Sequence, residues 1–200
     1  RPVHLIYHSE AAKNNIFDVQ INEQINVLNE DFRKKNSNFS KTPLDFQPLA
    51  ADVGIEFQLA TTDPDGNNTT GITRTITTVN QIGETNNYYK TSQGGIDAWN
   101  NKEYLNIWVC ELSFGSLGFA YPPSSISFAD DGIVISPDFF GRIPKSKNLG
   151  RTATHEIGHY FNLLHIWGNN GGCSDDDNVE DTPIQKKEYY GNPTHPSISC

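Results

Sequence analysis

The 200-residue sequence has no methionine and only three cysteines, Cys110, Cys173 and Cys200. Three thiols allow one disulfide with one left over, which excludes a multiply stapled scaffold. Basic residues are scarce: 15 Lys and Arg stand against 24 Asp and Glu, a formal net charge of −9. That balance argues against a nucleic-acid partner, which requires clustered positive charge. The densest basic run, RKK at 33–35, reads as the solvated end of a helix. No apolar run approaches the roughly 18 residues of a membrane span, and none resembles a signal-peptide core. Repeats and low-complexity segments are missing as well. The chain opens at Arg1 rather than at an initiator methionine, so something upstream is expected to have been removed. A secretion signal, a pro-segment or a chosen boundary would each account for this.

What is present suits one domain, or one domain with two lobes, able to bury a sizeable core. VHLIYH (3–8) reads as a strand. Ile21, Ile25, Leu28 and Phe32 recur at helical spacing, which predicts a helix over roughly 16–35 with Asp18 as a possible cap. GIEFQLAT (54–61) and GITRTITT (71–78) read as strands on either side of a turn-rich segment. GGIDAWN suggests a short helix, YLNIWVC (104–110) an apolar strand, and GSLGFAYPP and DGIVIS two further strands. This order predicts an α+β fold with an α/β-like N-terminal lobe: a twisted mixed sheet with helices on one side. After His165 the composition shifts to Gly, Asp, Asn and Pro. We therefore expect one lobe over 1–165 and the start of an irregular lobe over 166–200.

The stretch GRTATHEIGHYFNLLHIWG (150–168) holds three of the six histidines within eleven residues. Positions i and i+4 of a helix share a face, so His155 and His159 can aim ring nitrogens at one metal ion. Glu156 lies about 100° further round the helix, able to reach a water on that metal without being a ligand. Ile157, Phe161 and Leu164 are expected to form an apolar stripe against the sheet. An unbroken helix would carry His165 about 15 Å from His155, so the chain must turn back. Asn162 is the expected pivot, because Asn tolerates a left-handed backbone. Three imidazoles leave a tetrahedral zinc one open position, the pattern of a catalytic site. A water there becomes acidic near neutral pH, and Glu156 can act as its general base. A rival assignment takes a downstream glutamate, Glu180 or Glu188, as the third ligand.

HEIGHYFNLLH resembles the HExxHxxGxxH signature of the metzincin zinc metallopeptidases, with Asn162 at the Gly position. YLNIWVCEL, GSLGFAYPP, DGIVIS, GRTATHEIGH, HIWG, GGC and DNVEDTP, in this order, resemble the pappalysin family, its secreted bacterial members in particular. The resemblance implies a backing helix, an active-site helix and a secreted zinc endopeptidase hydrolysing peptide bonds. In metzincins an edge strand above the cleft pairs with extended substrate, which implies Leu117, Gly118, Phe119 and Ala120 here. Similar pappalysins bind calcium near the acidic loop CSDDDNVEDTP, which implies Asp177, Val179 (through its carbonyl), Asp181 and Thr182 as Ca²⁺ ligands.

The family pattern also implies a Cys173–Cys200 disulfide, worth about 3.5 kcal/mol on the chain-entropy model, and hence an extracellular location. Cys110 then reads as a buried free thiol. Metzincins carry a methionine turn beneath the zinc; with no methionine in the chain, that turn is expected beyond Cys200, together with much of a specificity-pocket wall. This leaves a second functional class open: an inactive zinc-containing domain that grips peptides along its edge strand. The family habit further implies a removed pro-segment as a former partner, and a protein or peptide as substrate.

Overall fold

A computed structural model describes residues 1–8, 14–113, 115–123, 129–143, 148–191, 193–194 and 196–200. Five strands, β1 (Val3–His8), β2 (Ile72–Thr77), β3 (Asn106–Val109), β4 (Gly118–Ala120) and β5 (Gly132–Ile135), form one sheet in the order β2-β1-β3-β5-β4. β1 pairs in parallel with β2 and β3, and β3 in parallel with β5. β4 joins β5 antiparallel and forms one edge. The sheet is therefore mixed, as the sequence implied.

Strand side chains alternate between two buried faces. Val3, Leu5, Ile107, Val109, Ile133 and Ile135 meet the helices α1 (Asp18–Phe32) and α2 (Arg151–Tyr160). Ile6, Trp108 and Val134 face the other way, where Ile82, Tyr88 and Leu112 cover them from irregular segments. Burial on both faces is why the central strands read as nearly continuous apolar runs. Ile21, Ile25 and Leu28 hold α1 on the sheet. Each such side chain contributes about 1.5–3 kcal/mol relative to exposure, more than the weak helix preference of its Asn-rich sequence.

Several expectations need correction. Asp18 makes no capping bond: it opens α1, and its carboxylate pairs with Arg74 of β2 at 2.5 Å. Residues 54–61 form no strand. The segment is held elsewhere, with the Phe57 amide on Asn29 Oδ1, the Phe57 carbonyl on Asn29 Nδ2, and the Ala60 amide on the Arg1 carbonyl. GGIDAWN is not helical either. Thr91 and Asp97 exchange backbone-to-side-chain bonds, and the Asn106 side chain clamps both the amide and the carbonyl of Trp99. Side chains thus take the bonds a helix would have used. Of the stripe expected on the histidine helix, only Ile157 is buried. Phe161 lies past the helix end and is 42% exposed, and Leu164 is half-buried in the turn beyond. Among the described residues of 161–200 there is no helix or strand.

Candidate active site

α2 follows Gly150, its N-cap, whose φ of 80° fits a residue without Cβ. The backing helix fixes that start. Gln24 of α1 donates from Nε2 to the Gly150 carbonyl at 3.0 Å and accepts the Gly141 amide at 2.7 Å. Asp31 accepts from the Thr154 hydroxyl and from Arg151 Nε, both at 2.8 Å. With Ala153 and Ile157 fully buried, the face bearing His155 and His159 is turned away from the sheet.

The helix ends at Tyr160, and the left-handed residue is Asn162, with φ of 70°. That turn returns the Leu163 amide to the Gly158 carbonyl at 2.9 Å and sends the chain back towards the helix. His155, His159 and His165 converge as a result: their Nε2 atoms lie 3.0 Å apart for 155–159, and 3.1 Å for 155–165 and 159–165. His159 Nδ1–H donates to the Leu163 carbonyl at 2.7 Å, which leaves its Nε2 with a lone pair facing the other two. Tetrahedral ligands about 2.0–2.1 Å from zinc stand roughly 3.3 Å from one another, so the donor set fits that ion. Burial, then the neighbouring His159 and His165, pulls the His155 pKa down to about 4. Burial also lowers that of His165. Both effects favour the neutral form a metal requires.

Glu156 is 7% exposed. Burial pushes its carboxyl up to about 7, against the opposing effect of a hydrogen bond from the Ala120 amide. That bond ties the helix to β4, which passes directly over it. A Cβ on Gly118 would lie 2.8 Å from the Ile135 side chain and 3.0 Å from Thr152. Gly118, Phe119 and Ala120 make up β4, which among the described residues has a neighbouring strand on one side only. Leu117 precedes it, 41% exposed, its carbonyl accepting the Ser136 amide. Between strand and helix opens a cavity of about 500 Å³, lined by Ser116, Leu117, Gly118, Thr152, His155 and Glu156 among others.

Among the described residues, the three histidines are the one group of three His, Cys, Asp or Glu that closes tightly enough to hold an ion. Neither Glu180 nor Glu188 enters the triangle, although the Glu188 charge is felt at His165. In the acidic loop Asp177 Oδ1 accepts the Val179 amide at 3.1 Å, Val179 and Asp181 are exposed, and Thr182 is half-buried. The more engaged carboxylate is Asp175, which sequence reasoning passed over. It accepts the Asn169 and Asn170 amides at 3.0 and 2.8 Å and Asn170 Nδ2 at 3.2 Å, and its pKa is lowered by these bonds. Also missed was Trp167, whose indole stacks on His165. The signal for it was an aromatic residue two positions past a candidate ligand. Cys173 and Cys200 are disulfide-bonded, and Cys110 is a buried free thiol in the second core cluster.

The profile of the pregnancy-associated plasma protein-A peptidases matches residues 88–200. An extracellular metalloprotease of Podospora anserina is 30% identical over 202 residues, covering 96% of this chain and 57% of that protein. One from Arthroderma benhamiae is 39% identical over 99 residues, 45% of this chain and 35% of that protein. The chain thus spans between about a third and three-fifths of these curated relatives. Among solved structures, mature mirolysin of Tannerella forsythia with a cleaved peptide superimposes with a TM-score of 0.93 at 46% identity, covering 98% of this chain and 74% of that one. A promirolysin mutant gives 0.92 at 44% identity, with 98% and 66% covered. The profile match extends through β3, β4, β5 and the histidine helix, and the structural match through the sheet and α1 as well; the chain belongs to the pappalysin family of metzincin metallopeptidases.

Proposed function

We propose that the protein is an extracellular zinc endopeptidase. The observation that carries this reading is the convergence of three imidazole nitrogens beside the buried Glu156 carboxyl, beneath the edge strand of the described sheet. His155, His159 and His165 hold the metal. Zinc, when bound, supplies the Lewis acidity that activates water and polarises a peptide carbonyl. Glu156 takes a proton at its carboxylate from the attacking water and returns it to the departing nitrogen. The Gly118–Ala120 edge aligns extended substrate by main-chain pairing, with Leu117 at its entry. A domain that only bound peptides would not need a carboxyl at position 156.

The relatives' descriptions as extracellular support secretion, as does the Cys173–Cys200 bond. The existence of a pro-form of mirolysin supports a removed pro-segment here; a gene that places Arg1 directly after a signal peptide would remove that part. Calcium at Asp177, Asp181, Thr182 and the Val179 carbonyl, and a lobe boundary near 165, belong to the same proposal. The calcium part rests on the five acidic residues of 173–183, and a melting temperature indifferent to added Ca²⁺ would remove it.

The test is cleavage of an unbiased peptide mixture, read by mass spectrometry, comparing the zinc-loaded protein with Glu156→Ala. Cuts should appear with the unsubstituted protein and fall by about 10²-fold or more in the variant. Equal cutting by both would sink the role given to Glu156. No cutting by a folded, zinc-bound protein would favour a domain that binds without hydrolysing.

A further inference from the structure

Two of the converging imidazoles are held by different means. His159 is fixed through its outer nitrogen by the Leu163 carbonyl. His165 is held face to face by the Trp167 indole, with ring centroids 4.5 Å apart and planes 6° from parallel. Residues two apart do not stack by default; a turn must bring them together. Here the Gly168 amide donates to the His165 carbonyl at 2.7 Å and closes that turn. Gly168 has φ of 67°, and a Cβ on it would lie 2.3 Å from the Asp175 carboxyl carbon. That carboxylate takes the next two backbone amides, those of Asn169 and Asn170. The turn is locked from below, and the indole has a fixed seat.

We propose that Trp167 is a positioning residue for the third metal ligand. Its indole, seated by the Gly168 turn and the Asp175 carboxylate, sets the plane of the His165 ring so that Nε2 meets those of His155 and His159. An imidazole without such support rotates about its side-chain torsions, and the ligand triangle has to be reassembled at each binding event. The indole face also favours the positive charge a coordinated imidazole acquires. Groups behind a metal ligand commonly matter this much for affinity. The inference rests on the metal-binding reading above.

Zinc affinity of the unsubstituted protein, Trp167→Phe and Trp167→Leu is measured by competition with a chromophoric chelator, with no substrate present. Leu keeps apolar bulk without a ring face, and Phe keeps the ring face. Trp167→Leu should bind zinc about 10- to 100-fold more weakly, while Trp167→Phe should stay within about threefold of the unsubstituted protein. The visible bands of bound Co²⁺ should change in Leu and persist in Phe. Leu binding as tightly as the unsubstituted protein overturns the proposal, and so does Phe binding as weakly as Leu. If Trp167→Leu does not fold, Co²⁺ quenching of tryptophan emission decides. The quench should largely vanish in Trp167→Phe, because the remaining Trp99 and Trp108 pack around His4 on the sheet face opposite α2, and an unchanged quench overturns the stack. No zinc binding by the unsubstituted protein would instead overturn the metal-binding reading itself.

Discussion

Asn162 stands where the resemblance to the metzincin signature has Gly, and its left-handed φ of 70° serves two ends. It turns the chain so that His165 can return, and it brings the Leu163 carbonyl to within 2.7 Å of His159 Nδ1. Asn adopts this backbone more readily than other residues with a Cβ, whereas a β-branched side chain resists it. Asn162→Gly should therefore fold and bind zinc as the parent does. Asn162→Val should lose about 1–2 kcal/mol of stability and bind zinc more weakly, checked by urea unfolding and chelator competition. Equal zinc binding by Val and Gly would show that the turn does not control the ligands. The turn was legible in the sequence because the geometry of i, i+4 and i+10 on a helix admits one arrangement of three ligands. Trp167 and Asp175 were not, because stacking and amide capture depend on a loop path that no periodicity encodes.

At the scale of elements, the backing helix does more than cover the sheet. Gln20 and Gln24 are buried on α1 beside Ile21, Ile25 and Leu28. Gln20 Nε2 donates to the Phe140 carbonyl at 2.7 Å, and Gln24 bonds Gly141 and Gly150 on either side of the connection into α2. Gln24→Leu would leave the buried Gly141 amide without its acceptor, at about 1–3 kcal/mol, and would take one of its donors from the Gly150 carbonyl. A loss of about 1–3 kcal/mol in urea unfolding is expected, together with weaker zinc binding as the start of α2 loosens. A loss below about 1 kcal/mol would mean that water replaces the lost acceptor. Position 24 lies three residues after Ile21 and four before Leu28, so helical spacing already places it on the apolar face. A buried Gln was thus readable, while its partners more than a hundred residues away were not. The opposite failure occurred at 54–61, where an apolar pattern looked like a strand. Periodicity reports which residues are covered, not which groups answer their backbone, and here those were the Asn29 side chain of α1 and the carbonyl of Arg1.

Across the whole molecule, one polar device spans the sheet. His4 of β1 is fully buried, with Thr73 of β2 at 2.9 Å from Nδ1 and Asn106 of β3 at 3.1 Å from Nε2. Asn106 Oδ1 also accepts the Trp99 amide, so it acts as the acceptor for His4. His4 is then neutral with its proton on Nε2, and the Thr73 hydroxyl donates to Nδ1. Trp99 and Trp108 close around the ring, their centroids 5.7 Å away. Desolvation lowers the His4 pKa from the usual 6.5 to about 4, with the Asn106 bond opposing it. Between those values the unfolded chain binds a proton that the folded molecule refuses. Stability from this residue is therefore complete above about pH 6.5, is lost as the pH falls towards 4, and levels off below. The loss amounts to about 3 kcal/mol at 1.36 kcal/mol per unit. Urea midpoints of the unsubstituted protein and His4→Gln, taken at several values between pH 7.5 and 4, isolate it, since every other titrating group is common to both. The difference between the two should narrow as the pH falls through that window. Parallel curves would show that His4 is protonated in the folded sheet, and the three-strand link would then have to be drawn with two donors on the ring.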